Sequence, residues 1–262
     1  MNTVSMGQVL SRSFALMRDN LMSVGLFLLI VQVLESAFSF VLGQQSGAAM
    51  GMDQDGAGAN PLQIFGMASY WLMIAFMLLS SALTWAGSIH GYVQSAYQRP
   101  VDLRECFMAG LAKMFPMLLL LILWWLAIGL GWMLLIIPAL ILISMWSVAM
   151  PVLVSENLSV TQSFGRSREL TRGHRMAIFG VLVMVVVFLY AGLIIVGGVA
   201  ASRVNFVQMA FTAQSNPFVV IALGLAGWVM GMFVAALLSA LYIELVQAKG
   251  SAPTGHLSEV FV

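Results

Sequence analysis

The 262-residue chain is predicted to be all-α, a polytopic membrane protein whose six transmembrane helices form one integral domain over residues 1–262. Three observations predict this. Apolar residues make up 61% of the chain and Asp, Glu, Lys and Arg only 8%, where a soluble protein carries about 25% charged residues. Six apolar runs reach or approach the ~20 residues that cross a hydrocarbon core. Lys and Arg are concentrated in alternate connecting segments. A net charge of +1 supplies no electrostatic footprint for nucleic acid, so none is expected as a partner. Six spans would use about 120–150 residues and leave no stretch long enough for a soluble catalytic domain.

The runs cover residues 21–42, 64–88, 115–128, 134–154, 176–200 and 218–245. The first exceeds the ~7–15-residue core of a signal peptide and follows a polar segment with Arg12 and Arg18, so it reads as a retained span. Residues 43–61, rich in Gly and small side chains, read as a mobile external loop. The third and fourth runs are fused, with Gly129, Gly131 and Pro138 as the only punctuation, and a tight hairpin is predicted between them. With the N-terminus inside, the inner segments hold Arg12, Arg18, Arg99, Arg104, Lys113, Arg166, Arg168, Arg172, Arg175 and Lys249. The outer loops hold Arg203 alone. Short cytoplasmic loops collect the cations, so both termini are expected in the cytoplasm.

Three inner segments have the pattern of short interfacial helices, each leading into an odd-numbered span. The first carries Val9, Leu10, Phe14 and Met17 on its apolar side. In the second, Asp102 and Glu105 have capping-box spacing ahead of Phe107 and Leu111. In the third, Ser159 and Gln162 repeat that spacing, Val160, Phe164 and Leu170 supply the apolar positions, and Gly173 is the predicted stop. Arg12, Ser13, Leu16 and Arg18 match Arg166, Ser167, Leu170 and Arg172 at a constant offset, and Leu111 and Lys113 reproduce the last pair. This suggests a three-fold repeat of interfacial helix plus helical hairpin.

Pro151, Glu156, Val160, Ser163, Arg166, Ser167, Leu170, Thr171, Gly173, His174 and Arg175 form a motif that resembles the multi-span membrane-domain family attached to some bacterial glycerophosphoryl diester phosphodiesterases, and its stand-alone relatives. The motif is confined to residues 151–175, while the order of spans extends the likeness over most of the chain. The resemblance implies a helical protein of the bacterial inner (cytoplasmic) membrane, with catalysis in a separate soluble barrel domain. No segment here supplies that barrel's metal-binding carboxylates and paired histidines, so phosphodiesterase activity is not expected of this chain.

Glu35 is the one carboxylate well inside a predicted span. It lies 14 residues past Leu21, about 21 Å along a helix, in the outer third of a ~30 Å core. A carboxylate at that depth is costly unless paired or put to use. Gln32, Ser36 and Ser39 are near it at helical spacing, Ser69 and Tyr70 on the second span are candidate neighbours, and Arg203 is a candidate ion-pair partner. Two readings stand: a structural bond, or a protonatable site in a transport path.

Arg166, Arg168, Arg172, His174 and Arg175 are candidates for lipid head-group contact, because a cation near an anionic leaflet contributes about 1 kcal/mol. Enforcing topology is the plainer role for them. Glu156 and Glu244 are expected to pair with nearby basic residues. Gly227, Gly231, Ala235 and Ser239 form a small-residue ladder on the last span, and Ser80, Thr84 and Ser88 follow one face of the second; both read as helix-packing seams. The ladder leaves open whether its partner is internal, a second copy or another membrane protein. The lone Cys106 has no internal disulfide partner, and His90, His174 and His256 lack metal-site spacing. No HExxH, GxSxG, Walker A or strand-to-helix GxGxxG motif occurs. The expectation is therefore a non-enzymatic membrane protein with no metal or cofactor. Lipids, anionic ones included, are its expected partners, and lipid or envelope homeostasis its setting as an accessory or scaffold. The alternative is a small-solute or proton-coupled transporter using Glu35.

Overall fold

The computed structural model describes residues 6–49, 68–134, 136–187 and 217–250, with side chains described for 6–38, 68, 71–133, 139–187 and 224–250. Every regular element among these residues is a helix. In chain order they are α1 (Met6–Asp19), α2 (Leu26–Ala49), α3 (Ala68–Ala96), α4 (Leu103–Leu134), α5 (Ile136–Met145), α6 (Ala149–Ser155), α7 (Val160–Thr171), α8 (Arg175–Val187) and α9 (Pro217–Ala248). A π-turn over Leu21–Gly25 joins α1 to α2.

Four segments are long and apolar enough to cross a membrane: Leu21–Phe38, Trp71–Ala96, Leu103–Met133 and Gly224–Ala248. A fifth arises if α7 and α8, bent by 104° at their junction, count as one. Their burial identifies the centre of the bundle. In α9, 72% of the apolar window is buried within the protein, against 28% in α4. The outer helices therefore present large side chains outward, among them Trp71, Met77, Trp125, Leu126, Leu130 and Met133. In water, exposed apolar surface forfeits about 25 cal/mol per Å²; in lipid it does not, which makes a membrane the consistent surroundings.

Several sequence expectations change. The second predicted interfacial helix and the 115–128 run are one continuous helix, α4, which passes through Pro116. Contacts with α3 run along its first part and hold that part in line with the rest: Gly110 sits against Leu83, and Cys106 against Gly87 and Gly91. The 134–154 run is not a single span but α5 and α6, separated by a turn at 146–148. That break has a partner. With Ala149 N–H bonded to the Trp146 carbonyl at 3.1 Å, the Met145 carbonyl accepts Ser167 Oγ at 2.9 Å and Thr171 Oγ1 at 3.2 Å. Residues 43–49, expected in an external loop, continue α2, and α3 extends beyond residue 88 to Ala96. The hairpin expected around 129–138 corresponds to the α4–α5 junction, where Gly131 lies against the Ala139 backbone. The 176–200 run is described as far as Val187, and residues 50–63 and 201–216 lie outside the described residues.

α3 packs closely against α4, α2 and the π-turn. A Cβ added at Gly87 would lie 2.5 Å from Phe27 and 2.7 Å from the Cys106 carbonyl oxygen, and one at Gly91 would meet Val24 at 2.6 Å. Glycine at both positions lets the backbones approach, the usual device where lipid removes the hydrophobic drive for helix association.

Candidate functional site

Two places bring chemistry-bearing side chains together: the end of the bundle where the basic segments meet, and a cleft beside Glu35.

At the first, α1 lays Val9, Ser13 and Leu16 against the bundle at spacings of four and three, so Arg12 projects toward the last turn of α9. Its Nη1 is 2.6 Å from Glu244 Oε1 and 3.3 Å from Gln247 Oε1. In α7, Gln162 reaches back to the Ser159 amide at 3.2 Å, the expected capping contact, and Ser163, Ser167, Leu170 and Thr171 are buried. The same rotation directs Arg166 at Glu156, whose side chain is fully buried. Arg166 Nε lies 3.1 Å and 3.4 Å from the two Glu156 oxygens, Tyr242 donates its hydroxyl at 3.2 Å, and Arg166 Nη1 also reaches Glu169 at 3.2 Å. A buried carboxylate is tolerable because a cation and a hydroxyl satisfy it. Lys113 bonds Asn157, and Lys249 bonds the Glu169 carbonyl. The phenol of Tyr97 is raised above its ordinary pKa by burial, with Arg12 opposing and Glu156 adding to the rise. Glu156 and Glu244 thus take the roles expected of them. The basic segments around α1, α4, α7 and the end of α9 share one end of the bundle.

Of the arginines predicted for head-group contact, Arg166 is committed to carboxylates. Arg168 and Arg172 are exposed, with no ion pair among the described residues. Gly173 takes a φ of +94°, as its predicted stop role requires, and the chain turns into α8 there. At that elbow, His174 Nδ1 and Arg175 Nε are buried without a hydrogen-bond partner among the described residues. Orphaned buried nitrogens of this kind call for an ion, a water or a ligand group.

The second place is a cleft of about 200 Å³ between α2, α3 and α9. Leu28, Gln32 and Glu35 line it from one face of α2, at spacings of four and three. Ser81, Thr84, Trp85 and Ser88 line it from α3, and Gly227, Trp228, Gly231 and Ala235 from α9. The Trp228 indole N–H donates to the Gly25 carbonyl at 2.8 Å, tying α9 to the π-turn at the start of α2. Ser80 donates its hydroxyl to Glu35. Ser36, expected near Glu35, instead bonds back to the Gln32 carbonyl at 2.8 Å. The side chains of Ser39, Ser69 and Tyr70, and Arg203 as a whole, lie outside the described residues.

The small-residue ladder divides at this cleft. Ala235 and Ser239 are buried, but among the described residues Gly227 and Gly231 have no atom within 4 Å of an added Cβ. Its outer half therefore borders open space. Close-approach glycines at the α3–α4 seam include Gly87, Gly91 and Gly110, none of them predicted; the GxxxG spacing of the first two was the signal in the sequence. Among the described residues no three His, Cys, Asp or Glu side chains form a metal-holding group, and His256 lies outside them. Comparison with protein-family models, curated proteins and solved structures finds no match for this chain.

Proposed function

We propose that this protein is a non-enzymatic accessory or scaffold of the bacterial inner membrane, with both termini cytoplasmic, that holds anionic lipid head groups at the α7–α8 elbow. The carrying observation is the elbow itself, where Arg168 and Arg172 are exposed and the buried His174 Nδ1 and Arg175 Nε have no hydrogen-bond partner among the described residues. A phosphate oxygen accepts hydrogen bonds and carries the charge such a site complements. The resemblance of residues 151–175 to the phosphodiesterase-associated membrane domains supports a lipid setting. Matched positions of α1 and α7 support the repeat: Ser13 and Ser167 are both buried, and Arg12 and Arg166 each pair with a carboxylate. The cleft beside Glu35 supports a second reading, a small-solute or proton-coupled transporter.

The head-group reading is tested by native mass spectrometry of the detergent-purified protein with phosphatidylglycerol and phosphatidylcholine. Arg166 is kept, because it neutralises Glu156. Changing Arg168, Arg172 and Arg175 together to glutamine is expected to remove about 3 kcal/mol of preference for the anionic lipid, roughly a hundredfold. An unchanged preference would contradict the proposal.

A further inference from the structure

The cleft beside Glu35 has a hydrogen-bonding character that selects among ligands. Thr84 Oγ1 donates to the Ser80 carbonyl at 2.7 Å, Ser88 Oγ to the Thr84 carbonyl at 2.7 Å, and Ser81 Oγ to the Leu78 carbonyl at 2.9 Å. Each hydroxyl has spent its only proton, so toward the cleft it offers lone pairs. The Trp228 N–H is spent on Gly25. Glu35 adds a carboxylate that accepts a hydrogen bond from the Ser80 hydroxyl and has no ion pair among the described residues. The cleft is therefore rich in acceptors and anionic, with Gln32 offering a carboxamide and Trp85 and Trp228 offering aromatic surface.

We propose that this cleft binds a primary ammonium carried on a short organic body. Three features favour that ligand. A cation compensates a carboxylate inside a membrane span, where an uncompensated charge is costly. The three N–H bonds of an ammonium match the hydroxyl lone pairs, which a quaternary ammonium cannot do. Indole surface favours an organic cation over a bare metal ion, which takes its coordination from oxygens. An anion is excluded by Glu35, and a neutral polyol would find too few donors. The same chemistry is carried by a free amine or by the ethanolamine head group of a lipid. The site is separate from the α7–α8 elbow and does not depend on the head-group contact proposed there.

The test is equilibrium dialysis of radiolabelled n-butylamine against the full-length protein in nanodiscs that lack ethanolamine lipids. One saturable site is expected for the wild type, with tetramethylammonium a poor competitor. Glu35→Gln is expected to weaken binding at least tenfold. Gly231→Leu is expected to do the same by filling the cleft, since Gly231 lines it, no atom of the described residues lies within 4 Å of the added Cβ, and the Glu35–Ser80 bond is left intact. It therefore decides the matter should Glu35→Gln impair folding. Loss of butylamine binding in phosphatidylethanolamine nanodiscs would support the site with the lipid as its source; undiminished binding would support it with a free amine. No binding by the wild type in ethanolamine-free discs, or equal binding by wild type and both variants, would overturn the proposal.

Discussion

Arg166→Ala is expected to destabilise the protein by about 3–5 kcal/mol, read as a lower midpoint of unfolding in denaturant. The magnitude follows from what remains. The Glu156 side chain is fully buried, and without the guanidinium it keeps, among the described residues, the Tyr242 hydroxyl as its one donor. Glu156→Gln combined with Arg166→Met is expected to recover most of the loss, because the penalty is for an orphaned charge rather than a missing attraction. If the double variant were as unstable as Arg166→Ala, the pair would matter through packing instead. Arg168→Ala, on the exposed side of the same helix, is expected to stay within about 0.5 kcal/mol of the wild type.

Gly87→Leu is expected to have a comparable effect, at least the ~1–3 kcal/mol typical of overpacking. A flexible side chain can move aside, but the Cys106 carbonyl 2.7 Å from the new Cβ is backbone, so α3 and α4 must separate. Gly227→Ala provides the contrast within the same protein. With no atom of the described residues within 4 Å of the new methyl, it is expected to be neutral or to gain up to about 1 kcal/mol from helix propensity. Equal losses at the two glycines, measured as unfolding midpoints, would remove the distinction between a packed seam and an open cleft.

Gly87 and Gly227 separate what is local in the sequence from what is not. Apolar composition identifies membrane helices, and spacing alone places the Ser159–Gln162 cap and the Gly173 stop, since these are local features. Which face of an apolar helix meets a neighbour is not local. The ladder of Gly227 and Gly231 and the pair Gly87 and Gly91 share the same four-residue spacing, yet only the second pair is filled by a partner. The break at 146–148 contains neither Gly nor Pro; it is stabilised by Ser167 and Thr171, more than twenty residues away in sequence. α4 runs through Pro116 because contacts with α3 hold its first part, although the charged residues 104, 105 and 113 suggest a separate surface helix. Glu35 was visible as an anomaly from its depth alone, but the acceptor character of its surroundings depends on where three hydroxyls send their protons.

The basic segments share one end of the bundle, and the proposed function requires that end to lie at the inner face of the membrane. Single cysteines introduced as Arg172→Cys and Lys249→Cys, probed with a membrane-impermeant thiol reagent, test this directly, since the native Cys106 is buried and serves as a silent background. The account predicts no labelling of either site in intact spheroplasts and labelling of both after permeabilisation. Labelling of either position from outside intact cells would contradict it.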